Sequence, residues 1–140
     1  MDTLIVPGTV GGTALRLDLS DGSTSLTVEG PFAGEHTTVL LSADWLLPLA
    51  AWFAGEAQPA ALGARPGALI VHGDESAAVW DARTGARLEC VLPFGSARVT
   101  IGPRGKVYGT TAMLPPEGRQ SAAAWLRRTA AEDWARRPAA

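Results

Sequence analysis

Leu15, Leu17 and Leu19 alternate with Arg16 and Asp18, and this period of two constrains the chain more than any other feature. Successive side chains of a strand point to opposite faces, so Thr13 to Leu19 reads as a half-buried strand. Asp21-Gly22 then supplies turn chemistry, and Ser23 to Glu29 returns with Leu26 and Val28 on the apolar side. So short a turn joins antiparallel neighbours, because parallel pairs need long crossovers. Gly30-Pro31-Phe32-Ala33-Gly34 is a loop, and His36 to Leu41, rich in Thr and Val, is a further strand. Strands are therefore expected over residues 3–41.

A helix is expected next, over about residues 43–55. Ser42 has the chemistry of an N-cap, and Asp44 suits the positive end of the helix dipole. Trp45, Leu46, Leu49, Trp52 and Phe53 follow at helical spacing, and Gly55 sits where a C-cap belongs. Pro48 either lies where the helix truly begins or kinks it. Residues 57–67, rich in Ala, Pro and Gly, read as a loop. From 68 to 113 the pattern is an antiparallel meander, with turns at Gly73-Asp74-Glu75-Ser76, Asp81 to Gly85 and Gly102-Pro103-Arg104-Gly105. Leu88, Cys90 and Leu92 share one strand face. Pro115-Pro116 closes the strands, and Ser121 caps a last helix through about Arg136. That helix carries Leu126, Ala130 and Trp134 as a stripe, flanked by Trp125 and Ala122.

A chain of 140 residues suits one domain, here 1–140. The fold class expected is α+β: a curled antiparallel sheet of six to eight short strands, with one central and one C-terminal helix packed on it. The N-terminus has no basic region followed by a long apolar run, so a cytoplasmic protein is expected. No apolar stretch is long enough to span a bilayer as a helix.

The formal net charge of −2 gives no global attraction to nucleic acid or anionic membrane, and neither is expected as a partner. The charge is uneven. Residues 1–64 hold seven acids and one base, whereas residues 65–140 hold seven acids and eleven bases. A fold whose halves attract would explain this, and so would a face for a charged partner. The single Cys and two His exclude a disulfide framework and a Cys- or His-rich metal centre, so no metal or cofactor is expected.

Chemistry is sparse. Gly8-Thr9-Val10-Gly11-Gly12 lacks the Gly-Lys-Ser/Thr of a phosphate loop and precedes a strand, so it reads as a hairpin or entry loop. No Gly-x-Ser-x-Gly elbow occurs. Cys90, between Leu88 and Leu92, reads as a core thiol. His72, Asp74 and Glu75 form the densest polar cluster and would line a polar pocket, yet Gly-Asp-Glu-Ser is also what a tight turn requires. Glu35-His36 flanks a strand start. Of the five Trp, Trp134 stands among Arg127, Arg128, Arg136 and Arg137, the composition of a partner-facing surface. A partner bound there would be another protein, acidic in character.

Two resemblances can be stated. Val79 to Gly85 with Ile101 to Tyr108 resembles part of one WD-type propeller blade, and nothing in residues 1–64 repeats it. The shared feature is hairpin chemistry. The order of strands, then Leu41-Ser42-Ala43-Asp44-Trp45-Leu46 through Trp52-Phe53-Ala54-Gly55, then a meander and a terminal helix, is similar in layout to small bacterial β-α-β proteins. Some of these are labelled WapI-type immunity proteins of polymorphic toxin systems. Pro48 departs from that pattern, and no binding residue carries over. The lack of a complete catalytic constellation, the charge asymmetry and the abundant Trp point to a non-catalytic protein-binding module, of the immunity or adaptor kind, that works by occluding a partner. The sequence thus leaves three readings: a protein-binding module of the immunity or adaptor kind, a small-ligand binder or enzyme using a sheet-helix pocket near His72, and a structural subunit of a bacterial or phage assembly.

Overall fold

The computed structural model describes residues 2–20, 23–32, 34–41, 46–56, 60–61, 69–72, 76–80, 87–91, 97–102 and 110–136. The first four strands are β1 (Asp2–Pro7), β2 (Ala14–Ser20), β3 (Ser23–Glu29) and β4 (His36–Leu41). Helix α1 (Leu46–Ala54) follows. Then come β5 (Ala60–Ala61), β6 (Leu69–His72), β7 (Ser76–Trp80), β8 (Arg87–Val91), β9 (Ala97–Gly102) and β10 (Thr110–Leu114). Helix α2 (Pro116–Arg136) closes the order.

The class is α+β with antiparallel strands, as the sequence implies. The strands do not form one sheet of six to eight. They form a four-stranded sheet in the order β1-β2-β3-β4 and a six-stranded sheet in the order β10-β9-β8-β7-β6-β5. Each hairpin pairs with its sequence neighbour, and α1 interrupts the succession between β4 and β5. Ala60–Ala61 lies in the stretch read as a loop and adds one short edge strand.

The register sets which face is buried. Leu4, Leu17, Leu26 and Val39 stand in one row across the first sheet, and Val6, Leu15 and Val28 in the next. In the second sheet Cys90, Val99 and Ala112 share a row, as do Leu88, Ile101 and Thr110. These rows and both helices contribute to a single apolar cluster. Thr37 Oγ1 lies 3.2 Å from Thr110 Oγ1 and links the two sheets at its margin. Thr9 N–H donates to Met113 O at 2.8 Å and ties the first hairpin to β10.

Helix α1 starts at Leu46, which places Pro48 in its first turn. The N–H groups of a first turn have no intrahelical partner, so proline costs nothing there and kinks nothing. Ser42, Asp44 and Trp45 lie outside the described residues. The C-terminus is as expected: Gly55 has φ +79°, its N–H donates to Trp52 O at 3.1 Å, and Glu56 N–H donates to Ala51 O at 2.8 Å. This pair of bonds is a Schellman motif.

Helix α2 begins five residues earlier than the sequence suggested. Pro116 is its first residue, where a fixed φ near −65° and a missing N–H both suit a helix. Arg119 N–H donates to Pro115 O at 3.0 Å and opens the ladder. Ser121 is therefore not a cap; its hydroxyl donates back to Glu117 O at 3.1 Å. The helix packs on α1 and on β1 and β10, one edge strand of each sheet. Ala122, Ala123, Trp125, Leu126 and Thr129 are buried, and Ala130 packs against them.

Candidate functional site

The outer face of the first sheet is polar because alternation puts its charged and hydroxylic residues there. Ile5, Arg16, Thr27 and Thr38 form a row by register. Arg16 donates to Asp18 Oδ2 at 2.9 Å and to Glu29 Oε1 at 2.8 Å. Thr3 Oγ1 donates to Asp18 Oδ1 at 2.7 Å. Arg16 is the only base of residues 1–64, and it sits between two carboxylates that would otherwise repel.

This sheet ends in two neighbouring hairpin loops. In the first, Gly8 N–H donates to Thr13 O at 2.8 Å, and the Thr13 hydroxyl donates to Val10 O at 2.6 Å. The glycine-rich segment is thus a hairpin leading into a strand, as its sequence implied. In the second, Gly30 N–H donates to Glu35 O at 2.7 Å, Glu35 N–H donates to Phe32 O at 3.0 Å, and Gly34 has φ +80°. The loops touch: a Cβ on Gly12 would lie 3.1 Å from Pro31 Cα.

Each loop holds a large apolar side chain out to solvent. Phe32 is 76% exposed and Val10 58%. Beside Phe32, residues Glu29, Gly30, Pro31, Gly34, Glu35 and His36 line an open cleft of about 300 Å³. Register sets Glu29 opposite His36, and the Glu35 side chain folds over Gly30, where a Cβ would lie 2.3 Å from Glu35 Cδ. Glu35 makes no ion pair among the described residues.

The residues singled out from sequence fare differently. Arg127 bonds Glu56 Oε2, and Arg128 donates to Asp2 Oδ2 at 3.0 Å. Both pairs join an acid of the first half to a base of the second, so part of the charge asymmetry is spent inside the fold. The side chains of Trp134 and Arg136, and all of Arg137, lie outside the described residues. His72 ends β6 opposite Ser76; its side chain, Asp74 and Glu75 also lie outside them. Trp52 and Trp125 are core anchors, 0% and 3% exposed. Cys90 is fully buried, as its strand position implied, and burial pushes its thiol pKa far up.

Among the described residues no three His, Cys, Asp or Glu side chains are placed to hold a metal ion. No described helix is long and apolar enough to cross a membrane. A second groove of about 360 Å³ runs between β1 and the first turns of α2, lined by Leu4 to Gly8, Pro115, Glu117, Gly118 and Ser121. It is mostly apolar. The hairpin surface is partly legible in the sequence: the loops and Glu35-His36 stand out by their turn and strand-start chemistry, whereas Phe32 lies within a loop and is not marked by any motif. An aromatic flanked by Gly, Pro and Ala has no strand or helix to bury it, and that was the available signal. No protein-family model matches this chain, and no curated protein matches it by sequence.

Proposed function

We propose that this chain is a non-catalytic protein-binding module that meets its partner through the Val10 and Phe32 loops. The observation that carries the reading is Phe32, 76% exposed on a hydrogen-bonded loop beside exposed Val10. Exposed apolar side chains held on rigid loops bind with little ordering cost, and aromatics are enriched among the residues that carry binding energy. Occlusion of a partner, in the manner of an immunity or adaptor protein, is the finer form of this proposal. It rests on the resemblance in layout, read from the sequence, to small bacterial β-α-β proteins.

The test is capture of partners from cells that make the protein natively, with wild type, Phe32→Asp and Arg127→Glu/Arg128→Glu compared. The proposal expects one stoichiometric protein partner, lost with Phe32→Asp and kept with the arginine variant. Loss with the arginine variant alone would move the interface to α2 and an acidic partner. A partner retained by every variant would refute both surfaces.

A further inference from the structure

We propose that the cleft beside Phe32 receives an arginine side chain presented by the protein partner; this deepens the reading above and rests on it. Three features of the cleft converge on that chemistry. Its walls include two carboxylates, Glu29 and Glu35, and among the described residues no Lys or Arg lines it. Arg16 already occupies one oxygen of Glu29, at 2.8 Å, whereas Glu35 pairs with no cation among the described residues. Phe32 borders the same cleft and is open to solvent, so its ring is free to stack on a guanidinium.

Arginine fits better than lysine. A guanidinium is planar, stacks on an aromatic face, and donates in a fork that matches a carboxylate. An ammonium is a strongly hydrated point charge and gains less from the ring. The volume of about 300 Å³ accommodates one long side chain, not a folded element. Val10, on the touching loop, supplies apolar contact for the residues that flank the arginine. The charge of the N-terminal half supports the same sign of partner: once Arg16 is paired, no Lys or Arg remains in residues 1–64 to repel a cation, and the base that lines the cleft is the His36 imidazole.

The experiment is nuclear magnetic resonance titration of the full chain, labelled with ¹⁵N, by three blocked tripeptides: Leu-Arg-Leu, Leu-citrulline-Leu and Leu-Glu-Leu. Citrulline keeps the shape of arginine and removes its charge. The proposal expects saturating shifts of the Gly30, Phe32, Gly34, Glu35 and His36 amides with the arginine peptide. The citrulline peptide should bind about three- to tenfold more weakly. Glu35→Gln should weaken the arginine peptide by a similar factor and leave the citrulline peptide unchanged. Equal binding of the arginine and citrulline peptides at these amides overturns the arginine site and leaves the apolar docking surface standing. Shifts confined to other residues, or no saturating shift with any peptide, also overturn it, whatever the capture experiment gives.

Discussion

Thr129 is 1% exposed, and its hydroxyl has no hydrogen-bond partner among the described residues; the indole N–H groups of Trp52 and Trp125 are in the same position. A buried polar group without a partner carries a desolvation cost of about 1–3 kcal/mol. Valine has the same shape as threonine and no hydroxyl. Thr129→Val should therefore raise stability, by about 1 kcal/mol, in a urea melt. A loss of stability would show that the hydroxyl is satisfied in solution. Cys90 makes the opposite kind of statement. Its thiol is fully buried and its pKa is pushed up, so the reactive thiolate is scarce as well as inaccessible. A thiol reagent at pH 8 should label it only as fast as the protein unfolds, and labelling at the rate of a free thiol would contradict the burial. Cys90 was legible because alternation places it between apolar neighbours; Thr129 was not, because a hydroxyl on a helix reads as surface.

Two glycines show what the elements require. Gly55 occupies the left-handed region at φ +79°, and the nearest atom to a Cβ there is Arg119 Nη2 at 3.7 Å. Space is available, so the cost of Gly55→Ala is conformational, about 1 kcal/mol, read as a lower midpoint in a denaturant melt. Gly118 is the reverse case. It lies in the first turns of α2, where alanine would gain about 1 kcal/mol of helix propensity. Its Cβ would stand 2.7 Å from Val6 Cγ1, in the buried seam between α2 and β1. Overpacking of that kind costs about 1–3 kcal/mol, so Gly118→Ala should destabilise despite the better propensity. A stabilised variant would show that α2 and β1 can separate freely. The prolines explain why element boundaries were only partly legible. From sequence Pro48 either starts or kinks its helix and Pro116 ends the strands; both sit in first turns, where the missing N–H is harmless. Local sequence does not distinguish a proline that starts a helix from one that ends the preceding segment.

At the scale of the molecule, the alternation of Leu15, Leu17 and Leu19 and of Leu26 and Val28 sufficed to give antiparallel strands with one buried face. It did not say which strands share a sheet, because two sheets facing each other and one curled sheet bury the same residues. The helix that joins the layers is α2, which touches one edge strand of each sheet, β1 and β10, and places Ala122, Ala123, Trp125 and Leu126 in the core. A chain ending at Leu114 should fail to fold cooperatively, with broad thermal melts and dye binding to exposed apolar surface. By contrast, the exposed pairs Arg127–Glu56 and Arg128–Asp2 each contribute less than about 1 kcal/mol, and salt should change stability little. The framework is therefore held by burial. In the proposed binding mode recognition depends on Phe32, and at 76% exposure its removal should leave the melting curve within about 0.5 kcal/mol of wild type. The decisive measurement is the calorimetric affinity of the captured partner for wild type and for Phe32→Ala. The account predicts binding weaker by about tenfold or more with an unchanged melt; equal affinities would contradict it.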